Sequence, residues 1–198
     1  MTHAQRVSAL AIDLTRLHRR TVSSFYSNLV TRPTGRAVRM GLESQLAELE
    51  GSRGVCLSVL DFSQVQVLDY SCADEIVAKL LLRYAGDDRP AEAYFVARGL
   101  QEHHQEAVEA VLERHALLLV GLDEAETPLL LGPCNAFERA CWAALANRGE
   151  AHPAEIAGDT GLPEETVAPT LRRLLAKRVA VEVGAGALCE ISNLARER

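Results

Sequence analysis

Val55-Cys56-Leu57-Ser58-Val59-Leu60 is an almost unbroken apolar run, closed by Asp61-Phe62-Ser63. Without polar alternation, such a run suits the middle of a sheet covered on both faces. Working upstream, Thr31-Arg32-Pro33 punctuates the chain, and proline is at home in a helix's first turn. Val38, Leu42, Leu46 and Leu49 then recur at helical spacing through Glu50, ahead of Gly51 and Gly54. Downstream, Val65 to Leu68 is a brief β-like link, and Ser71-Cys72-Ala73-Asp74 has the S-x-x-D form of a helix N-cap. Ile76, Val77, Leu80, Leu81 and Tyr84 give that helix its apolar face. Asp87 to Pro90 reads as a turn, Ala93 to Ala97 as a strand, Leu100 to Arg114 as a helix and Leu117 to Leu122 as a strand. This alternation predicts an α/β layer in which helices pack on a largely parallel sheet. Near the N-terminus Leu10, Ile12 and Leu14 alternate with Ala11, Asp13 and Thr15, a further strand signal, while Thr21 to Val30 stays ambiguous.

The pattern changes at Gly132-Pro133, after the apolar run Leu129-Leu130-Leu131, which places a boundary between residues 1–132 and 133–198. Phe137, Cys141, Trp142 and Leu145 share one helical face. A short helix from Pro153 to Asp159 and a turn at Thr160-Gly161-Leu162 follow. A third helix runs from Pro163 to Arg178 with Val167, Leu171, Leu174 and Leu175 inward. Two β-like runs, 179–183 and 187–191, then flank Gly184-Ala185-Gly186 as a hairpin. Three helices with a sharp turn before the last, then a hairpin, spell a small α+β winged helix-turn-helix domain.

Composition narrows the function classes. The 198 residues are 48% hydrophobic and 24% charged, and no apolar run approaches the roughly 20 residues a bilayer span needs. Met1 to Arg6 lacks the layout of a secretory signal, so a cytoplasmic location without membrane contact is expected. The five cysteines form no C-x-x-C pair, which fits reduced thiols, with Cys56 in the core, and neither a disulfide framework nor a zinc site. Adjacent residues on a helix diverge, so His103 and His104 should point apart and not share a metal. Phosphate-loop, nucleophile-elbow and zinc-protease motifs are all missing. Gly184-Ala185-Gly186 is too short for a dinucleotide loop, and Asp87-Asp88 and Glu164-Glu165 read as solvated acids. The expectation is a protein with no catalytic residues, cofactor or metal.

The net charge of −6 argues against a protein that coats nucleic acid nonspecifically. Yet Leu14 to Leu42 holds six arginines and no acid, in a chain with only two lysines. Arg32, Arg36 and Arg39 are therefore candidates for contact with an anion or an acidic partner. The plainer alternative is that arginine simply serves as the general basic residue here.

Leu60-Asp61-Phe62-Ser63-Gln64-Val65 and Leu68-Asp69-Tyr70-Ser71-Cys72-Ala73-Asp74-Glu75-Ile76 together resemble the STAS domain of anti-sigma-factor antagonists. They resemble still more a STAS-like family of unassigned function, which pairs a D-F-s-x-V turn with an A-D-E helix start. Its members also carry an arginine-containing helix upstream, matched here by Thr31-Arg32 through Arg39. The resemblance covers about residues 8 to 122 and implies a STAS-like α/β fold that binds regulatory proteins. It also implies that Ser71 sits where antagonists are phosphorylated by a switch kinase. The antagonists continue with a Gly-Leu-Gly-like segment, whereas Asp74 and Glu75 follow here and would repel a phosphate. Ser71 is thus either a plain N-cap or a switch residue, and Asp74 and Glu75 are candidate partner contacts.

In a DNA-reading winged helix the third helix would offer Thr166, Arg172, Arg173, Lys177 and Arg178 to DNA. Glu164 and Glu165 in its first turn and Pro169 within it count against that use. Three readings follow. The first is a transcriptional regulator whose STAS-like domain controls DNA binding. The second is a partner-switching adaptor whose winged helix binds protein. The third is a receptor for an anionic small ligand. Expected partners are DNA, a switch kinase or sigma-control protein, and a second copy of the chain in a homodimer.

Overall fold

The computed structural model describes residues 17–22, 27–47, 55–184 and 186–196. The strand expected at Leu10 to Leu14 lies outside them.

The first segment runs β1 (Leu17–Val22), β2 (Asn28–Leu29), α1 (Arg32–Ala47), β3 (Val55–Asp61) and β4 (Val67–Leu68). One helical rod follows: α2 (Tyr70–Ala73), a π-helical turn (Asp74–Ala78) and α3 (Lys79–Ala85). Then come β5 (Ala93–Arg98), α4 (Glu102–His115), β6 (Leu119–Leu122) and β7 (Pro128–Leu131). The main sheet has the order β1-β3-β5-β6-β7, with the first four strands parallel and β7 antiparallel at the edge. The run Leu129-Leu130-Leu131 is thus a strand of this sheet and not merely a lead-in to the boundary. Because the parallel strands lie in chain order, crossovers of one hand put α1, α2–α3 and α4 on the same face.

Strand periodicity then divides the core. Cys56, Leu60, Phe95, Leu119 and Leu131 face those helices and meet Leu42, Ile76, Leu80, Val108 and Leu112. The alternate residues Leu57, Tyr94, Val96, Val120, Leu122 and Leu130 face the other way, into a second cluster. That cluster is completed by the C-terminal segment: Cys141, Trp142, Leu145, Ile156, Leu171, Leu174 and Val179. The apolar run of β3 is explained by this double cover.

The C-terminal segment runs α5 (Ala136–Arg148), β8 (Glu150–Ala151), α6 (Pro153–Thr160), α7 (Glu164–Ala176), β9 (Ala180–Gly184), β10 (Ala187–Glu190) and α8 (Asn193–Arg196). The small strands pair antiparallel in the order β8-β10-β9. Asn135 and Glu138 close a reciprocal cap on α5, and Trp142 donates its Nε1 to the carbonyl of Val179 at 3.2 Å. Helix α7 stops two residues before the expected Arg178, whose φ of 59° carries the chain out of the helix.

Candidate functional site

The helix that begins after β4 is capped by Asp69, whose Oδ1 accepts from the Cys72 N–H at 2.7 Å and from the Ser71 hydroxyl at 2.8 Å. The expected cap at Ser71 is therefore corrected. The cap lies two residues earlier and the helix starts at Tyr70, so Ser71 lies inside the first turn, half-buried. Asp69 Oδ2 also accepts the Thr31 N–H at 2.9 Å, which ties this start to that of α1. Burial would raise the Asp69 carboxyl, but the Thr31 and Cys72 N–H groups hold it below its ordinary value. The Cys72 thiol donates to the Thr31 carbonyl, and burial beside the negative Asp69 pushes it up to about 11. It is no nucleophile at neutral pH.

The arginine stripe and the acidic pair, read separately from sequence, form one network. Arg32 bonds Asp74 Oδ2 at 2.9 Å and Glu75 Oε1 at 3.0 Å, and Arg39 reaches Glu75 Oε2 at 3.4 Å and Glu43 at 2.6 Å. Lys79 pairs with Glu75, and His115 Nε2 lies 2.9 Å from Asp74 Oδ1. The Asp74 and Glu75 side chains are only 6% and 3% exposed. Burial alone would raise both carboxyls. Hydrogen bonds from His115 and Arg32 hold Asp74 below the ordinary range, and Lys79, Arg32 and Arg39 do so for Glu75. Arg32 and Arg39, two of the three arginines put forward for an anion, are thus already paired with carboxylates. Arg36, like Arg32, is exposed.

Glu43, Lys79 and His115 were missed in the sequence. The first two carried a signal, since each lies four residues from its partner on one helix. His115 belongs to α4, and nothing local links it to Asp74.

Around the same helix start lie Val30, Val67 and Tyr70, respectively 40%, 45% and 44% exposed. Val67 belongs to the two-residue β2–β4 ladder, where Asn28 pairs with Val67 and Leu29 with Leu68, and Val30 and Tyr70 lie just beyond its ends. Tyr70 is anchored by its hydroxyl, which donates to the Ala110 carbonyl at 3.1 Å.

His103 and His104 do not diverge as expected. Their rings meet edge-on with centroids 4.1 Å apart. His103 contacts the Gln66 carbonyl, while His104 accepts from the Gln101 N–H and is fully buried. Burial, with the neighbouring His103, lowers the His104 pKa. Among the described residues no group of three or more His, Cys, Asp or Glu is arranged to hold a metal ion. No described helix is long and apolar enough to cross a membrane. At the carboxyl ends of β3, β5 and β6 a cleft of about 460 Å³ is lined by Asp61, Arg98, Asp123, Glu124 and Glu126. There Arg98 holds Asp61 at 2.8 Å.

The residues proposed from sequence for DNA contact scatter. Arg172 is exposed and donates to the Ala168 carbonyl of its own helix. Arg173 and Lys177 approach the buried Glu138 at 3.4 and 3.7 Å, and Thr166 is half-buried. Arg178 is turned away from the α7 surface into the seam with the main sheet. It bonds Glu92 Oε1 at 2.6 Å and the Ala93 carbonyl at 2.8 Å. Glu164 and Glu165 stay exposed at the start of α7. Comparisons with protein-family models, with curated proteins and with solved structures each returned no match.

Proposed function

We propose that this chain is a non-catalytic regulatory adaptor, built from a STAS-like unit and a winged-helix unit that both contact proteins. One observation carries the reading. Three of the six large hydrophobic side chains exposed among the described residues, Val30, Val67 and Tyr70, gather at the helix start that holds Ser71. Scattered exposed apolar residues need no explanation, but a group beside a polar helix start is what a docking face requires. In this reading Arg36 supplies a rim charge, and Asp74 and Glu75 hold α1 against the helix start. A phosphate on Ser71 would add about −1.5 to −2 charge next to Asp69 and disturb the cap. The face could thus be altered without any catalytic step in this chain.

Use of the winged helix on protein follows from its charges. Of the four basic residues from Arg172 to Arg178, three are engaged by Glu138 or Glu92. The β9–β10 hairpin contains no basic residue, and two glutamates open α7. A surface of this kind meets DNA phosphates poorly. DNA binding remains the second reading, favoured by the order α5-β8-α6-α7-β9-β10 with Thr166 and Arg172 on its third helix.

Fluorescence anisotropy with duplex from the chain's own upstream region and a scrambled control, over a salt series, separates the two. The adaptor reading expects no binding at low salt. Salt-sensitive binding that prefers the upstream duplex would overturn it in favour of a transcriptional regulator. Co-purification of wild type against V67E/Y70E tests the docking face, because the double variant should lose the bound protein.

A further inference from the structure

The seam between the main sheet and the end of α7 holds a partly open cavity of about 200 Å³. Leu81, Tyr84, Phe95 and Leu117 from the sheet unit line it, and Ala176 and Lys177 line it from the C-terminal segment. An apolar protein cavity of about 150 Å³ is enough to take up benzene. This one therefore has room for a six-membered ring or a short alkyl chain with a polar head.

The choice of head group follows from the cations. Arg178 also lines the cavity, but its guanidinium is held by Glu92, the Ala93 carbonyl and the Tyr94 ring. Lys177 is held more loosely. Its ammonium lies 3.7 Å from Glu138 Oε1 and 3.5 Å from the Pro133 carbonyl. Glu138 is itself shared with Arg173 and with the Asn135 N–H. A carboxylate arriving at Lys177 would gain a close charge-assisted bond in place of these long ones.

We propose that this cavity binds a small amphipathic monoanion, an aromatic or short aliphatic carboxylate, with its apolar body among Leu81, Tyr84, Phe95 and Leu117 and its carboxylate on Lys177. Walls from both segments make the ligand a bridge across the seam, so occupancy stiffens the attachment of α7 to the sheet. The site is separate from the Ser71 face, and it stands whether the C-terminal segment contacts protein or DNA.

The test is a titration of the full chain with benzoate and hexanoate, and with benzyl alcohol as the neutral counterpart. Calorimetry and the fluorescence of Trp142, the single tryptophan, provide two readouts. Trp142 reports on the seam because its ring nitrogen bonds the Val179 carbonyl, next in sequence to Arg178. Saturable binding of at least one carboxylate is expected, with benzyl alcohol about tenfold weaker than benzoate. K177Q should erase that preference, and A176F, at an exposed position, should block all three compounds. The proposal is overturned if neither carboxylate saturates at millimolar concentration, or if benzyl alcohol matches benzoate. Carboxylate binding left unchanged by both K177Q and A176F would overturn it as well.

Discussion

Arg178 places its guanidinium carbon 4.1 Å from the centre of the Tyr94 ring, joining the end of α7 to the second strand of the sheet's interior. The same side chain bonds Glu92 and the Ala93 carbonyl, so one residue makes three kinds of contact across the seam. Burial pushes the Tyr94 hydroxyl up to about 12, against the lowering effect of Arg178, so the ring stays neutral and keeps its electron-rich face. R178A should destabilise the protein by about 2–3 kcal/mol, from a lost charge-assisted pair and a lost cation–π contact. R178K should recover only part of this, because an ammonium cannot serve the planar, forked contacts. Urea midpoints of the three proteins give the answer, and a loss below 0.5 kcal/mol in R178A would show that Arg178 is not the fastener described.

Gly35 and Gly41 lie on one helix and should respond oppositely to alanine. A Cβ on Gly35 would come within 2.9 Å of the Cys72 Cα and 3.0 Å of the Glu75 Cβ, so α1 would be driven off the rod it packs against. G35A should cost about 1–3 kcal/mol. Gly41 has nothing within 4 Å of its virtual Cβ. G41A should therefore stabilise by about 0.5–1 kcal/mol through helix propensity alone. Thermal unfolding of both variants checks the pair, and like signs would contradict the packing described here.

The contrast between these glycines shows where sequence reading stops. Both stand in the same amphipathic helix, and only the fold reveals that one touches a neighbour. β3, β5 and β6 were legible because a strand covered on both faces is apolar at successive positions, and α7 because its stripe is regular. β2 and β8 have two residues each and cannot show a period, and β4, equally short, showed only as the β-like link from Val65 to Leu68. The acids Asp74 and Glu75 and the arginines of α1 were noticed separately. Their union depends on a contact between residues some forty positions apart, which no local pattern encodes. The two-residue shift of the cap from Ser71 to Asp69 had a different source. Asp69 and Ser71 are both good cap residues, and the choice was made by the Thr31 N–H on the other side of Asp69.

That assignment of the cap is itself testable. D69A should cost about 1–2 kcal/mol, since it frees the N–H groups of Cys72 and Thr31 together. S71A should stay within about 0.5 kcal/mol, because Ser71 only donates a hydroxyl to a carboxylate that has two other partners. Chemical denaturation would show the reverse order if Ser71 were the true cap.

The Asp74–Glu75 network predicts a pH dependence with a definite sign. Both carboxyls are held below their ordinary values of 3.8 and 4.5 in the folded protein. In the unfolded chain they take up protons at those ordinary values, before the folded state does. Their contribution is therefore fully present above about pH 5 and is lost as the pH falls through 4.5 toward the depressed folded values. At pH 7, D74N/E75Q should be less stable than wild type by about 2–3 kcal/mol, below the roughly 3–5 kcal/mol for breaking a fully buried pair because Arg32 and Lys79 can turn to solvent. Between pH 5 and 3 the wild type should lose that margin while the double variant, with nothing to titrate there, loses less. Unfolding free energies of both proteins at pH 7, 5, 4 and 3 decide it, read as a difference so that the other carboxylates cancel. A gap that stays constant down to pH 3 would mean that the network holds its shape by packing and not by charge.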